Sequence, residues 1–407
     1  MSGYVPSLAD LYVTPGAPVP NEALPKVLVV VLNYNGRHHL QRCFESLAGL
    51  DYPRERVEVL LIDNGSEDGS IEEMQAHFPW VRVLKNPRNF GFAPACNQGA
   101  SNRRDASIVA FLNNDMRVDP AWLRELVAPI VRGECAATTS KMLSWDGARI
   151  DSAGSGMNFH GIGIQYGYGD VPTFEHDVPR RTLFACGGAM AIDARTFEDV
   201  GGFDREYFAY YEDVDLGWRL WVLGHEVRYV PTSVCWHHHS STSKRFPPET
   251  VRLIQIRNPL LTILKNYDDE NLRRVLPVAL GVAIRRMLMT AHIPDQHPYF
   301  IYYSKPIDLD PARGAVGPNP DISREAVADL IAVHEVLVRW PHRMARRAEV
   351  QSRRRRSDAE IFSLFLRPLW NVESDPTSTE MISGMANFYG LDDLFRPFER
   401  GVNPLQS

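Results

Sequence analysis

Four short runs of branched apolar residues, each followed by polar turn residues and then a helical period, constrain this chain more than any other feature. VLVVVL (residues 27–32) is continuous, β-branched and bounded by polar residues, as a strand buried on both faces must be. Leu40, Cys43, Phe44 and Leu47 follow it at helical spacing. VEVLLI (57–62), VRVL (81–84) and IVAFL (108–112) repeat the strand pattern. Strands alternating with helices predict an α/β sheet joined by crossover connections. With 407 residues, 44% of them hydrophobic, the chain can bury such a sheet without staples, and its length favours two units.

The rest of the chain limits compartment and partners. Five scattered cysteines without CxxC spacing indicate neither a disulfide framework nor a cysteine zinc site, which fits a reducing cytosol. A net charge of -6 argues against a nucleic-acid partner held by overall positive charge. Pro6, Pro15, Pro18, Pro20 and Pro25 make residues 1–25 an extended leader without a signal-peptide layout. Arg285 and Arg286 interrupt the apolar stretch 275–293, which is therefore no membrane span. The protein is expected in the cytoplasm, with at most peripheral contact at the inner face of the cell membrane. From residue 247 the pattern becomes leucine- and arginine-rich and helical, including 327–340 and 361–370. A boundary near Phe246 thus divides an α/β domain (26–246) from a mainly helical region (247–407). The basic run Arg353 to Arg356, preceded by Arg343, Arg346 and Arg347, is predicted as a solvated helical face, with weak attraction to an anionic membrane as the sharper alternative.

Polar residues collect where the strands end, the edge at which open α/β sheets bind ligands. Asn113-Asn114-Asp115 ends the fourth strand, and Asp115 could take a hard divalent ion that also grips phosphate oxygens. A polar turn accounts for the same residues. Asp119-Pro120 is predicted as N-cap and first residue of a helix to Ile130. Asp63 ends the second strand, where it could accept the imide N–H of uracil or thymine, with Asn33, Asn35 and Asn64 on backbone or ribose; an Asx turn is equally compatible. Glycine and aromatics dominate 144–177, predicting an irregular or mobile segment able to close over a substrate. In Tyr210-Tyr211-Glu212-Asp213-Val214-Asp215, acids lie among aromatic residues, a setting that suits a general base and equally suits the acidic first turn of a helix. His237-His238-His239 could complete a metal shell begun by Asp115, or simply pack at a strand end; alternation lets only His237 and His239 share a face. No GxxxxGK[ST], GxGxxG, HExxH or GxSxG motif supports the chemistries those signatures carry.

In order and spacing, VVLNYNG (30–36), LLIDNGSEDGS (60–70), NPRNFGFAPACNQG (86–99), FLNNDMRVDPAWL (111–123), the segment 186–220 around YYEDVD and the segment 230–240 resemble family 2 glycosyltransferases of the GT-A fold, bacterial rhamnosyltransferase-like branch. The resemblance covers roughly half the chain. It implies a mostly parallel central sheet flanked by helices, with a C-terminal helical extension. It assigns Asp63 to base recognition, and Asn89, Gly91, Phe92 and Asn97 to the nucleotide-side loop. Asn113 to Asp115 take the DxD position, where Asp115 alone supplies a metal carboxylate, with His237 approaching the metal. Gly187, Gly188 and Ala189 fall beside sugar and acceptor, with Glu212 on the same side, and Asp213 matches the catalytic base. Tyr211 departs from the Phe or Trp usual before that acid pair, and Arg257-Asn258 with Lys265-Asn266-Tyr267 resemble the family's RN…KNY continuation. The implied activity is inverting transfer, dependent on Mn²⁺ or Mg²⁺, of a sugar, L-rhamnose foremost, from a dTDP- or UDP-sugar donor. The acceptor would be a glycan, lipid-linked or small-molecule hydroxyl in cell-surface polysaccharide or glycolipid assembly. The alternative is a non-catalytic nucleotide-sugar-binding or scaffold protein of the same fold.

Overall fold

The computed structural model describes residues 11–238, 246–293, 322–371 and 375–399. The first half alternates as expected: β1 (Val27–Asn33), α1 (Arg37–Ala48), β2 (Val57–Asp63), α2 (Ser70–His77), β3 (Arg82–Lys85), α3 (Phe92–Ser101) and β4 (Ile108–Asn113). β1 lies between β2 and β4, parallel to both, with Asn33 opposite Asp63 and Leu32 opposite Asn113. This register stops three strands at one level, which brings their polar ends together. Along β1, Val27, Val29 and Val31 pack with Leu40, Phe44 and Trp122 on one face, while Leu28 and Val30 face a second core shared with the C-terminal helices. The uninterrupted apolar run follows from burial on both faces.

The chain continues through β5 (Met116–Val118), α4 (Trp122–Val131), β6 (Ala137–Ser144), β7 (Ile150–Ser152), β8 (Ser155–Met157), β9 (Gly163–Gln165), β10 (Arg180–Arg181), β11 (Ala189–Asp193), α5 (Ala194–Asp199), α6 (Glu212–Val222) and β12 (Val227–His237). The main sheet runs β10-β12-β6-β11-β4-β1-β2-β3. It is parallel from β4 to β3 and between β6 and β12, and antiparallel where β11 inserts between β4 and β6. It is thus a mostly parallel α/β sheet flanked by helices.

Three local expectations are corrected. α4 begins at Trp122 rather than Pro120, because the Asp119 carboxylate accepts from the Ala121 N–H (2.9 Å) in a turn ahead of the helix. The central part of segment 144–177 is a packed wall rather than a cover, while 168–175 is mostly exposed. Residues 150–160 are buried throughout, β8 pairs with β9, and the Phe159 N–H donates to the Pro368 carbonyl (2.8 Å). Its glycines serve close approach: a Cβ on Gly156 would come within 2.7 Å of the Leu364 carbonyl. The helical pattern of 361–370 ends at a 3₁₀ turn, Phe362–Leu364, because Phe362 and Phe365 pack edge-on against Trp218 and Tyr267 instead of continuing a helix.

The C-terminal part comprises α7 (Pro248–Asn266), α8 (Asp269–Thr290), α9 (Arg324–Val338), α10 (Trp340–Gln351), α11 (Asp358–Ile361), α12 (Pro376–Phe388) and α13 (Leu391–Phe395). Among the described residues no helix is long and apolar enough to cross a membrane. The basic run is no solvated helical face either. Arg347 donates to the Leu264 and Tyr267 carbonyls (2.9 and 2.6 Å), Arg353 to the Asp199 carbonyl (2.9 Å), and Arg354 pairs with Asp358 (2.9 Å). These guanidiniums tie α10 and the loop after it to the body of the protein.

α6 is fastened to α7 by buried charge. Asp215, fully buried, accepts from Arg219 Nε (2.8 Å) and Asn266 Nδ2 (3.1 Å) and pairs with Lys265 Nζ at 3.0 Å. Replacing Asp215 with Ala leaves the buried Arg219 without its carboxylate, while Lys265 keeps Asp204. This replacement is expected to cost about 3–5 kcal/mol of stability. Chemical denaturation checks this, and an unchanged midpoint would show that the cluster does not hold the helices together.

Candidate active site

The strand ends open into a cleft of about 540 Å³ between the carboxyl edge of the sheet, the wall formed by β7–β9 and the start of α6. It is lined by Asn64, Asn89, Gly91, Phe92, Asn113, Asn114, Asp115, Gly187, Gly188, Glu212, Asp213 and His237, twelve of the residues singled out from the sequence. Asn33, Asn35, Asp63, Asn97 and Ala189 are not in its lining. Asn33 and Asp63 are buried beneath it: Asn33 Nδ2 donates to Asp63 Oδ1 (3.2 Å) and Ser70 Oγ (3.0 Å), while Asn114 Nδ2 donates to Asn33 Oδ1 (2.8 Å). Asp63 Oδ2 accepts from the Ser66 N–H (3.2 Å), the turn weighed as the alternative to base recognition. Asn35 Oδ1 accepts from the Glu67 N–H (2.8 Å), Asn97 clamps Phe203 through both its N–H and its carbonyl (2.9 and 2.7 Å), and Ala189 lies within β11, paired to Leu112.

The loop between β3 and α3 is held by amides. Asn64 Nδ2 donates to Asn89 Oδ1 (2.9 Å) and the Gly91 carbonyl (3.1 Å), and Asn86 Nδ2 donates back to Asn64 Oδ1 (3.1 Å). Gly91 has φ 91°, and a Cβ there would sit 2.3 Å from the Phe208 carbonyl, which accepts from the Phe92 N–H at 2.6 Å. Only glycine fits beneath this crossing chain.

The crossing chain leads to the acids. Tyr210 and Tyr211 both have left-handed backbones, φ 65° and 69°. Asn258 on α7, fully buried, holds them by donating to the Ala209 (3.0 Å) and Tyr210 (2.7 Å) carbonyls, while Arg257 donates to the Glu206 carbonyl (3.0 Å). Asp213 then projects into the cleft, its carboxylate accepting from the Gly187 (2.9 Å) and Val214 (2.8 Å) N–H groups. Burial raises its pKa and the two N–H donors oppose that rise. Glu212 is buried, its Oε2 has no hydrogen-bond partner, and burial together with the charge of Asp213 raises its pKa well above the ordinary range.

In the same cleft, antiparallel pairing of β12 with β5 sets His237 across from Met116 and beside Asp115. His237 Nε2 stands 3.4 Å from Asp115 Oδ2, and its Nδ1 stands 2.7 Å from Asp151 Oδ2. Burial alone would depress the imidazolium, but hydrogen bonds and charge from the two carboxylates push its pKa up to about 9. Burial opposes ionisation of Asp115 as well, and His237 outweighs it, so its pKa is lowered. His238 lies in the same loop, its N–H donating to the Asp115 carbonyl (3.0 Å), with its ring near Trp145 and His39; His239 lies outside the described residues. Sequence reasoning missed Asp151, along with Tyr34, Gln165 and Gln255 in the lining. Asp151 carried no signal, because only the pairing of β7 with β6 brings it to His237.

Comparisons with known proteins agree with this geometry. The family model "Glycosyl transferase family 2" matches residues 28–176, and "Glycosyl transferase family group 2" matches 108–255. The chain is 30% identical over 239 residues to the O-antigen biosynthesis protein RfbC of Myxococcus xanthus, covering 56% of this chain and 18% of that protein. It is 28% identical over 242 residues to the N-acetylglucosaminyl-diphospho-decaprenol L-rhamnosyltransferase of Mycobacterium tuberculosis, covering 54% of this chain and 78% of that enzyme. The chain thus spans under a fifth of the first relative and over three quarters of the second. Among solved structures, GalNAc-T7 with UDP, GalNAc and Mn²⁺ superposes with a TM-score of 0.54 at 20% identity, over 66% of this chain and 52% of that one, a likeness of fold. The chain belongs to the family 2 glycosyltransferases and has the GT-A fold, with relatives in the bacterial rhamnosyltransferase-like branch.

The buried Glu212 gives a pH signature. Its folded pKa is raised above the ordinary 4.5, so the folded state keeps a proton that the unfolded state has lost. Stability conferred by that proton is complete below pH 4.5 and falls as pH rises towards the folded value. Glu212→Gln is expected to flatten this slope and to unfold at higher temperature than wild type at neutral pH. Parallel slopes in melting curves across pH 4–8 would show that Glu212 does not hold the proton.

Proposed function

We propose that the protein transfers a sugar from a nucleoside diphosphate to an acceptor hydroxyl in one inverting displacement, with Asp213 as base and a divalent cation, Mn²⁺ or Mg²⁺, held by Asp115 and His237. The observation that carries this reading is the placement of Asp213 and the Asp115–His237 pair in one cleft, in a chain of this family. The donor set fits such a cation. Asp151 on Nδ1 fixes the imidazole with Nε2 towards the Asp115 carboxylate, and one oxygen with one imidazole nitrogen suits Mn²⁺ well. Among the described residues no group of three His, Cys, Asp or Glu could hold an ion, so the protein supplies an incomplete shell with room for phosphate oxygens. A divalent cation there supplies positive charge to the leaving diphosphate.

The remaining chemistry falls to the chain. Among the described residues lining the cleft, the carboxylates Asp115, Asp151 and Asp213 outnumber His237, with Glu212 holding its proton, so without a cation the cleft would repel a diphosphate. Asp213, ionised between two N–H donors, takes the proton of the acceptor hydroxyl as that oxygen bonds to the anomeric carbon. The bond from this carbon to the diphosphate oxygen breaks, and the nucleoside diphosphate leaves with the electron pair. The asparagine loop of Asn64 and Asn89 flanks the nucleotide side, and Gly187 and Gly188 flank the sugar. The name of the rhamnosyltransferase relative supports L-rhamnose as the sugar and a diphosphate-linked lipid as the acceptor; a dTDP-rhamnose donor and an α-L-rhamnoside product are what the family resemblance adds. Its sugar product would enter cell-surface polysaccharide or glycolipid.

Asp213→Asn is expected to bind donor within a few-fold of wild type and to lose about 10²–10⁴-fold in transfer. Calorimetry with dTDP and Mn²⁺, beside mass spectrometry of products from a nucleotide-sugar panel, checks both. Full transfer by this variant would refute the base, and no turnover of any sugar by wild type would favour a binding protein. Asp151→Ala is expected to weaken Mn²⁺ binding in the presence of dTDP by about 10–100-fold. Unchanged Mn²⁺ titrations would remove Asp151 from the metal's surroundings.

A further inference from the structure

α9 is apolar on two opposite faces. Its inward face, with Ala328, Ala332 and Val336, is buried against α7 and α8. Its outward face carries Val327, Leu330, Ile331, Leu337 and Val338, each 41–62% exposed. At helical spacing these residues form one stripe about 120° wide, with the exposed His334 within it. The three acids of this helix lie off the stripe: Asp329 is buried in a pair with Arg252 (2.7 Å), Glu335 pairs with Arg257 (3.0 Å), and Glu325 is half-buried in the first turn. Cations frame the stripe. Arg324 precedes it and Arg339 follows it, 87% and 68% exposed, each 3.7 Å from one glutamate, and the imidazole of His342, 59% exposed, lies beside Arg339's glutamate. Exposed pairs that long contribute little and leave the cations available to other anions. A surface helix whose solvent face is apolar, with basic residues at its margins, has the make-up of one that lies in a bilayer interface.

We infer that the outward face of α9 seats the protein on a lipid surface bearing anionic headgroups, the apolar stripe entering the headgroup boundary and Arg324, Arg339 and His342 meeting phosphate. The inference rests on the proposed transfer to a lipid-linked acceptor only in favouring a bilayer over a second copy of the chain. It also moves membrane contact away from the Arg353 to Arg356 run, where Arg353 and Arg354 bind carbonyls and a carboxylate of the chain itself.

The test is co-sedimentation of the full chain, without donor, with vesicles of phosphatidylcholine alone or mixed with phosphatidylglycerol. Wild type is expected to bind the mixed vesicles at least tenfold better than neutral ones. Leu330→Glu with Leu337→Glu should lose most of that binding, and Arg324→Glu with Arg339→Glu should lose the preference for anionic lipid. Transfer to a short water-soluble acceptor should stay at the wild-type rate in both variants, which also shows that they fold. The inference is overturned if wild type ignores vesicles, if the leucine variant binds them equally, or if ultracentrifugation shows a dimer that this variant converts to monomer. It also falls if the variant lowers thermal stability without changing vesicle binding, since the face would then be covered by the chain itself. Vesicle binding without transfer to any acceptor would refute the proposed activity alone, and transfer without vesicle binding would refute this inference alone.

Discussion

The hydrogen bonds from Asn258 to two successive carbonyls are the constraint on which the cleft depends. Left-handed backbone at a non-glycine residue costs about 1–3 kcal/mol, and Tyr210 and Tyr211 both adopt it. Each hydrogen bond from the buried amide contributes about 1 kcal/mol, so these two bonds offset only part of that cost. The remainder falls to packing: Tyr207 is fully buried with its hydroxyl on Thr262 Oγ1 (2.9 Å), and the Phe208 carbonyl is tied to the Phe92 N–H. α7 therefore sets where α6 starts, and so where Asp213 projects.

The same helix anchors α6 from its other side. Arg219, Lys265 and Asn266 converge on Asp215, two residues past Asp213. Asp215 and Asp213 are neighbours in sequence with opposite surroundings: one satisfied by cations, the other by backbone N–H groups at the cleft. Acids in the first turn are favoured by the helix dipole, which lowers the cost of placing three there. A short acidic cluster thus divides into a member held in the core and a member facing the cleft, according to what surrounds each one.

Much of this was legible from period and position. The strands were visible because burial on both faces forces unbroken branched residues, and their polar ends meet because β1, β2 and β4 share a register. The Asp115–His237 pairing was foreseen as an association but not as a geometry, since it depends on β12 turning back along β5. Asp151 and the wall around it stayed hidden for a different reason. Glycine-rich sequence signals either freedom or close approach, and only the C-terminal chain at Leu364 and Pro368 decides which. The arginines misled in the same way: a basic run looks solvated until the carbonyls that receive it, 80 or more residues away, are in place.

The division of one proton between Glu212 and Asp213 is the last element. Two adjacent carboxyls in a poorly solvated site resist double ionisation. Asp213 receives two N–H bonds that stabilise its charged form, while Glu212 Oε2 receives none. The proton therefore settles on Glu212, and the carboxylate facing the cleft remains free to accept one. Burial raises Asp213 above an ordinary aspartate while its two N–H donors favour the charged form, a combination that suits a base. Glu212, kept neutral, adds no further negative charge to a cleft that already holds Asp115, Asp151 and Asp213, the condition under which an anionic donor can approach.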